Sequence, residues 1–213
     1  MGCPSGSRAW WRLSRPRSLP GNGPSLAQEG QSNTWSPAVR GKGEVNVEFR
    51  EVIRKRRSVR AYRPDPVDPS LVQALLEAAD MAPTACNRQP FRIYVIPTRG
   101  REEDLRRLYG RPWFTEAPLV IGIVAFPGEA WVRRDGRNYA VVDATIAFDH
   151  LILAATDLGL GTCWVAAFDP AVVRELLHLP EDAEPVAFTP IGYPAEEPPQ
   201  RPRKGVQGLV VRS

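Results

Sequence analysis

APTACNRQPFRIYVI, residues 82–96, joins an apolar helix-forming stretch to an apolar strand-forming one. Pro83 and Pro90 bracket the connection, and between them Thr84, Asn87, Arg88 and Gln89 carry polar side chains into a place flanked by core-forming residues. Asn and Gln each present a donor and an acceptor side by side, and loops held on a rigid scaffold are where binding groups concentrate. The stretch therefore predicts a recognition loop for a flat ligand with heteroatoms along its edge, set between a helix and a strand.

Working outward, Asp68-Pro69 provides an N-cap followed by proline in the first turn, and Leu71, Val72, Leu75, Leu76 and Ala79 recur as the buried stripe of a helix. Further upstream, Phe49, Val52 and Ile53 have helical spacing and run into a basic knot, Arg54-Lys55-Arg56-Arg57-Ser58-Val59-Arg60. Downstream, Phe91, Ile93 and Val95 alternate as a strand. Residues 101–109 read as a charged, exposed helix closed by Gly110, and residues 118–126 form an unbroken apolar run suited to a central strand buried on both faces. Residues 127–137 are a polar loop that leaves Trp131 exposed as a lid or partner contact. Residues 138–159 predict a long helix, apolar almost all round, which one domain covers with difficulty; a homodimer burying it is the economical solution. On that helix Asp143 is read as bonding to a neighbour. A strand over 162–168, a helix capped by Asp169-Pro170 and reaching Leu177, and a last strand over 185–193 follow. In the tail, a short strand over 209–211 is expected to pair with a partner subunit.

The chain has 213 residues, 43% of them apolar, and a formal charge of +4. Residues 1–46 hold six Lys and Arg against two acids, so the remaining 22 bases and 22 acids cancel. The globular part is thus neutral and offers no argument for nucleic acid. Residues 1–46, rich in Pro, Gly, Ser and Arg, are expected to be a disordered extension. Codons for Lys42 through Val47 can hold a ribosome-binding sequence ahead of a GTG, which favours translation from Val47 and a domain over 47–213. Cys3, Cys86 and Cys163 lack metal-binding spacing and argue against a disulfide framework, which points to a reducing, cytoplasmic setting. The most apolar long segment contains Asp143, Asp149, His150 and Asp157 and is too costly for a membrane span. No metal site is expected.

Arg56, Ser58 and Arg60 on alternate positions, with Arg201, Arg203 and Lys204 near the far end, supply donors and charge for a phosphate. Together with RRSVRAYRPDPV (56–67), LLEAADMAPTACNRQPFRIYVI (75–96), APLVIGIVAF (117–126), LILAATDLGLGTCWVAAFD (151–169) and IGYPAEEPPQRPRK (191–204), the chain resembles the FMN-dependent nitroreductase family. The resemblance implies an α+β three-layer sandwich, with a mixed, mostly antiparallel sheet flanked by helices. It also implies an intertwined homodimer with two FMN molecules at its interface and NADH or NADPH as co-substrate. On its terms Arg56, Arg57 and Ser58 contact the flavin phosphate and ribityl chain, and Arg60 lies near the pyrimidine end of the ring, where a cation favours negative charge. Asn87 and Gln89 meet the ring's carbonyl and N–H edge, and Val165, Ala166 and Ala167 offer a backbone N–H to flavin N5. Arg201, Arg203 and Lys204 reach the phosphate. Ala166 and Ala167 stand where family members often carry an acid and a glycine, so no acidic side chain is available there. No strictly catalytic side chain is implied, because the flavin carries the reactivity.

Competing readings remain open at this level. His150 and His178 serve as structural hydrogen-bond and helix-dipole groups, Cys86 as a small packing residue, and Cys163 and Trp164 as core. Asn87 and Gln89 alternatively tie down their own loop. For the whole chain, the reading is an NAD(P)H oxidoreductase acting on an electron-poor small molecule, a nitroaromatic, quinone or flavin. The alternatives are a reductive dehalogenase or a flavin-consuming enzyme of cofactor synthesis, and a module binding anionic ligands or nucleic acid through residues 54–60.

Overall fold

Every residue of Leu119–Ala125 is buried, as the unbroken apolar run requires, and the rest of the domain is arranged around this strand. The computed structural model describes residues 48–212, so the expected disordered extension over 1–46 and the start at Val47 lie outside the described residues. In chain order the elements are α1 (Phe49–Lys55), α2 (Pro69–Asp80), β1 (Phe91–Pro97), α3 (Glu102–Leu108), β2 (Leu119–Ala125), α4 (Ala140–Asp157), β3 (Gly161–Thr162), α5 (Pro170–Leu177) and β4 (Glu184–Gly192).

The sheet order is β1-β2-β4-β3 and every strand pair in it is antiparallel. A single parallel bridge, Ser58 to Thr162, adds the basic knot outside β3. Because side chains alternate across a strand, β2 sends Leu119, Ile121, Ile123 and Ala125 to one face. There they meet Leu75 and Ala79 of α2 and the Ala144–Ala155 side of α4. Val120 points the other way, into a second cluster with Leu105 and Leu108 of α3, Val173 of α5, Phe114 and Phe188. The result is the expected α+β sandwich of three layers, with α2 and α4 on one face and α3 and α5 on the other.

Local signals explain most boundaries. The carboxylates of Asp68 and Asp169 accept from the amides of Ser70 and Ala171, each followed by proline. Phe49, Val52 and Ile53, read from their spacing as a helix, lie on α1, where Val52 enters the core and Phe49 and Ile53 are exposed at 66% and 52%. Four expectations need correction. Helix α3 stops at Leu108, with Tyr109 rather than Gly110 as its cap. Trp131 is half-buried against Tyr139, ring centroids 5.1 Å apart. The strand expected over 162–168 leaves the ladder after Thr162 and touches it again only at Val165. Residues 209–211 form no strand; Leu209, Val210 and Val211 are exposed after a short turn of 3-10 helix, Val206–Gly208.

Candidate functional site

The basic knot is fixed on two sides. Val59 N–H donates to the Thr162 carbonyl at 2.9 Å, an approach that Gly161 permits, since a Cβ there would stand 3.0 Å from Val59 Cγ1. On the other side the chain runs antiparallel to the start of the tail. Ala195 N–H donates to Ala61 O and Arg63 N–H to Tyr193 O, both at 2.9 Å, and Arg60 N–H donates to Glu196 Oε1 at 2.6 Å. The fold therefore brings residues 56–60, the segment 162–165 and the root of the C-terminal tail into one corner.

Within that corner the arginines are not equivalent. Arg57 directs Nη1 to the carbonyls of Arg54 and Arg56, capping the end of α1. Arg60 donates Nη1 to Ser58 O at 3.3 Å and lies over the Trp113 ring, 5.8 Å from its centroid. Arg56 is half-buried and its side chain has no hydrogen-bond partner among the described residues. Behind them sits Cys163, 3% exposed, whose thiol is pushed up by burial against the opposing pull of Arg60, a Ser58 hydrogen bond and Arg56. Tyr62, donating to Val59 O at 2.8 Å, is likewise raised by burial and by Cys163. The thiol and the phenol behind these arginines are thus held toward their neutral forms.

Val165 spends both backbone groups on Phe188, N–H to O at 2.8 Å and O from N–H at 2.9 Å, and its side chain is buried. Its amide is not available to a ligand, which corrects its expected role as a donor. Ala166 and Ala167 are exposed, and their amides have no partner among the described residues. Arg201, Arg203 and Lys204 are exposed in the tail that leaves the corner five residues after Glu196.

The loop over 84–89 departs from helix and strand geometry. Cys86, Asn87 and Gln89 have φ of 53°, 52° and 48°, three of the four non-glycine residues in the left-handed region among those described. Each such residue costs about 1 kcal/mol or more, Asn least. The conformation is held by Asn87 N–H to Thr84 O at 3.0 Å, Gln89 N–H to Thr84 Oγ1 at 3.2 Å and Ala85 N–H to Asp143 Oδ1 at 3.0 Å. The side chains of Asn87 and Gln89 are exposed and make no hydrogen bond among the described residues, so they do not tie down their own loop. Cys86 is disulfide-bonded, against the expectation of a reduced packing residue. Asp143 is the least legible member of this loop's surroundings, its one signal being a buried acid in the first turn of a largely apolar helix.

Loop and corner do not meet within one chain. The loop enters β1 at Phe91, which faces Ala125 and through it Glu184, whereas Thr162 faces Ile191 at the other end of β4. β1 and β3 are also opposite edges of the sheet. Three strand spacings across and seven residues along put the two anchors about 14 Å and about 23 Å apart, a diagonal of about 27 Å.

Among the described residues no group of three or more His, Cys, Asp or Glu side chains is placed to hold a metal, and no helix is long and apolar enough to cross a membrane. The model of the nitroreductase family matches residues 53–111 and 99–193. Over 174 residues the chain is 34% identical to an NADH dehydrogenase of Thermus thermophilus, covering 67% of this chain and 85% of that one. It is 33% identical over 172 residues to a 5,6-dimethylbenzimidazole synthase of Rhodospirillum rubrum, covering 68% and 81%. A solved nitroreductase family protein from Clostridium difficile superposes with a TM-score of 0.72 at 32% identity, over 78% of this chain and 98% of that one. Another from Desulfovibrio desulfuricans, in complex with FMN, superposes at 0.69 with 24% identity, over 79% and 98%.

Proposed function

The chain belongs to the nitroreductase family, and from that premise we propose that it is an FMN-dependent oxidoreductase using NADH or NADPH, with each flavin site shared between two subunits of a homodimer. The observation that carries the reading is the cationic corner itself. Arg56, half-buried and without a hydrogen-bond partner among the described residues, and Arg60 both stand near Cys163, and the exposed Ala166 and Ala167, whose amides have no partner among the described residues, follow it by three and four positions. These donors suit a phosphate at one end and an electron-accepting ring edge at the other.

Bound FMN would supply hydride exchange between the nicotinamide and an electron-poor acceptor such as a nitroaromatic, quinone or flavin. The protein's part is placement. Arg56 neutralises phosphate charge, with Arg201, Arg203 and Lys204 reaching it from the tail. Ser58 stays in register through its bridge to Thr162. Arg60, steadied over Trp113, holds a fixed positive charge where negative charge develops. Ala166 and Ala167 offer amide donors. Asn87 and Gln89, which lie at the opposite corner of their own sheet, would come from the second subunit. A second copy also answers two local features: Thr145 and Asp149 line a face of α4 that this chain leaves open, and Val206, Leu209 and Val211 are exposed apolar residues in the tail.

Purified protein should be yellow, with absorbance at about 450 nm, and should bleach anaerobically with NADH or NADPH and recover on adding a quinone or nitroaromatic. Protein that stays colourless after reconstitution with FMN refutes the proposal. The Rhodospirillum relative favours a second reading, a flavin-consuming step of cofactor synthesis. Its mark is the appearance of 5,6-dimethylbenzimidazole as the flavin is lost, detected by chromatography.

A further inference from the structure

We propose that Asp143 is a positioning residue: from the first turn of α4 it holds the loop over 84–89 in the strained backbone that presents Asn87 and Gln89 to the ligand. The inference rests on reading that loop as the part that meets the flavin ring. Three observations carry it. Asp143 is 2% exposed, and its Oδ1 takes the Ala85 amide at 3.0 Å, immediately ahead of the left-handed residues Cys86 and Asn87. Its Oδ2 is buried without a partner among the described residues, so the carboxylate belongs to no wider network of the core. Finally, the hydrogen bonds donated by the other loop amides, Asn87 N–H to Thr84 O, Arg88 N–H to Ala85 O and Gln89 N–H to Thr84 Oγ1, run within the loop itself, while the Arg88 Nη1 contact to Ala130 O is long at 3.4 Å. Asp143 is therefore the tie between the loop and α4.

A buried carboxylate with one satisfied oxygen is a poor way to stabilise a core, because its desolvation is not recovered. An apolar residue would serve the fold of α4 as well or better. What the carboxylate does is select one loop conformation among those a strained backbone would otherwise relax into, and that selection matters only if the exposed side chains of Asn87 and Gln89 must meet something at a fixed place.

The test uses the full-length protein with FMN as probe, read by quenching of flavin fluorescence, and amide hydrogen exchange on the free protein. Asp143→Ala is expected to weaken FMN binding about 10- to 100-fold, the span of one lost hydrogen bond to a charged group. Asp143→Leu, which fills the site without an acceptor, should do the same and serves should the alanine variant not fold. Asp143→Asn keeps an oxygen for Ala85 and should stay within about threefold of the parent, since the tie is preserved. On an Asn87→Ala/Gln89→Ala background, Asp143→Ala should add less than about threefold, because its effect passes through those side chains. Exchange at the Ala85 and Asn87 amides should rise in the Ala and Leu variants and not in Asn. Parent-like FMN binding in Asp143→Ala, equal losses in the Asn and Ala variants, or a full loss on the double-variant background overturns the proposal. If the parent binds no FMN, the flavin reading falls, and unchanged protection of the Ala85 amide in Asp143→Ala and Asp143→Leu still overturns the role of Asp143, while loss of that protection supports it.

Discussion

If each flavin site takes its phosphate corner from one subunit and its ring-edge loop from the other, two inactive variants should repair one another. Arg56→Ala damages the corner and Asn87→Ala damages the loop, and the anchors of these features lie about 27 Å apart by sheet geometry. In a heterodimer of the two variants, one site receives both lesions and its twin receives neither. Random reassortment makes half the dimers mixed, each with one intact site of two, so about a quarter of the parental sites should return. The assay mixes the two variants under mild dissociating conditions, dilutes them to reassociate, and measures FMN bound per chain and NADH-dependent reduction of a quinone. Each variant taken alone through the same cycle gives the baseline. Were both features to act within one chain, every site in the mixed dimer would carry one lesion, and mixing would restore nothing. Mixed samples no better than the mean of the separate variants, with reassortment verified by mass spectrometry of tagged chains, would refute the shared-site geometry.

Further outcomes follow from individual contacts. Arg56→Ala should weaken FMN about 10- to 100-fold, as expected for a lost charged hydrogen bond. Arg57→Ala should change FMN affinity far less, since its guanidinium is turned to the carbonyls of Arg54 and Arg56; equal losses in a fluorescence titration would count against the division of roles. Gly122→Ala places a Cβ 2.3 Å from Phe188 Cε1 inside the sheet, and should cost about 1–3 kcal/mol in urea unfolding; an unchanged midpoint would show that Phe188 moves freely. Stability should also fall in alkali. Cys163 and Tyr62 are both raised in the folded chain, so their contribution is whole below the unfolded values, roughly 8.5 and 10, and is lost as pH rises through the folded ones. Urea midpoints at neutral and alkaline pH should therefore decline less steeply in Cys163→Ala and Tyr62→Phe than in the parent.

The sequence was legible where a local rule met no competitor. Asp68 and Asp169 ahead of proline mark helix starts that the structure reproduces as caps, and the apolar run of β2 is buried throughout. It was less legible where burial depends on distant partners. Val165 and Cys163 are buried while Trp164 and Ala166 are exposed, an alternation that fits a strand, yet the backbone ladder lapses between Thr162 and Val165, where the Cys163 amide goes to the side-chain Oγ1 of Thr189 instead of a carbonyl of β4. Trp131 reads as an exposed residue of a polar loop, but Tyr139, eight positions on, gives it an aromatic edge to pack against. Position in sequence is also mute on distance. The loop and the basic knot are separated by only one helix in the chain, and it is the order β1-β2-β4-β3 that sends them to opposite corners.

The same dependence on remote partners divides the basic knot. Read along the chain, Arg56, Arg57 and Arg60 are three similar cations, and the alternation of Arg56, Ser58 and Arg60 suggests that those three side chains share a face. That phase holds only if residues 56–60 run as a strand, and what makes them do so is Thr162, more than a hundred residues away, through its bridge to Ser58 and its carbonyl on Val59 N–H. Helix α1 stops at Lys55, which leaves Arg57 close enough to its last carbonyls to cap them. Glu196 then takes the Arg60 amide and Trp113 its guanidinium face. With Arg57 turned to the carbonyls of α1 and Arg60 over Trp113, the charge that the knot itself has left for a phosphate is that of Arg56, which is why the strongest effect among the knot's residues on cofactor binding is expected there.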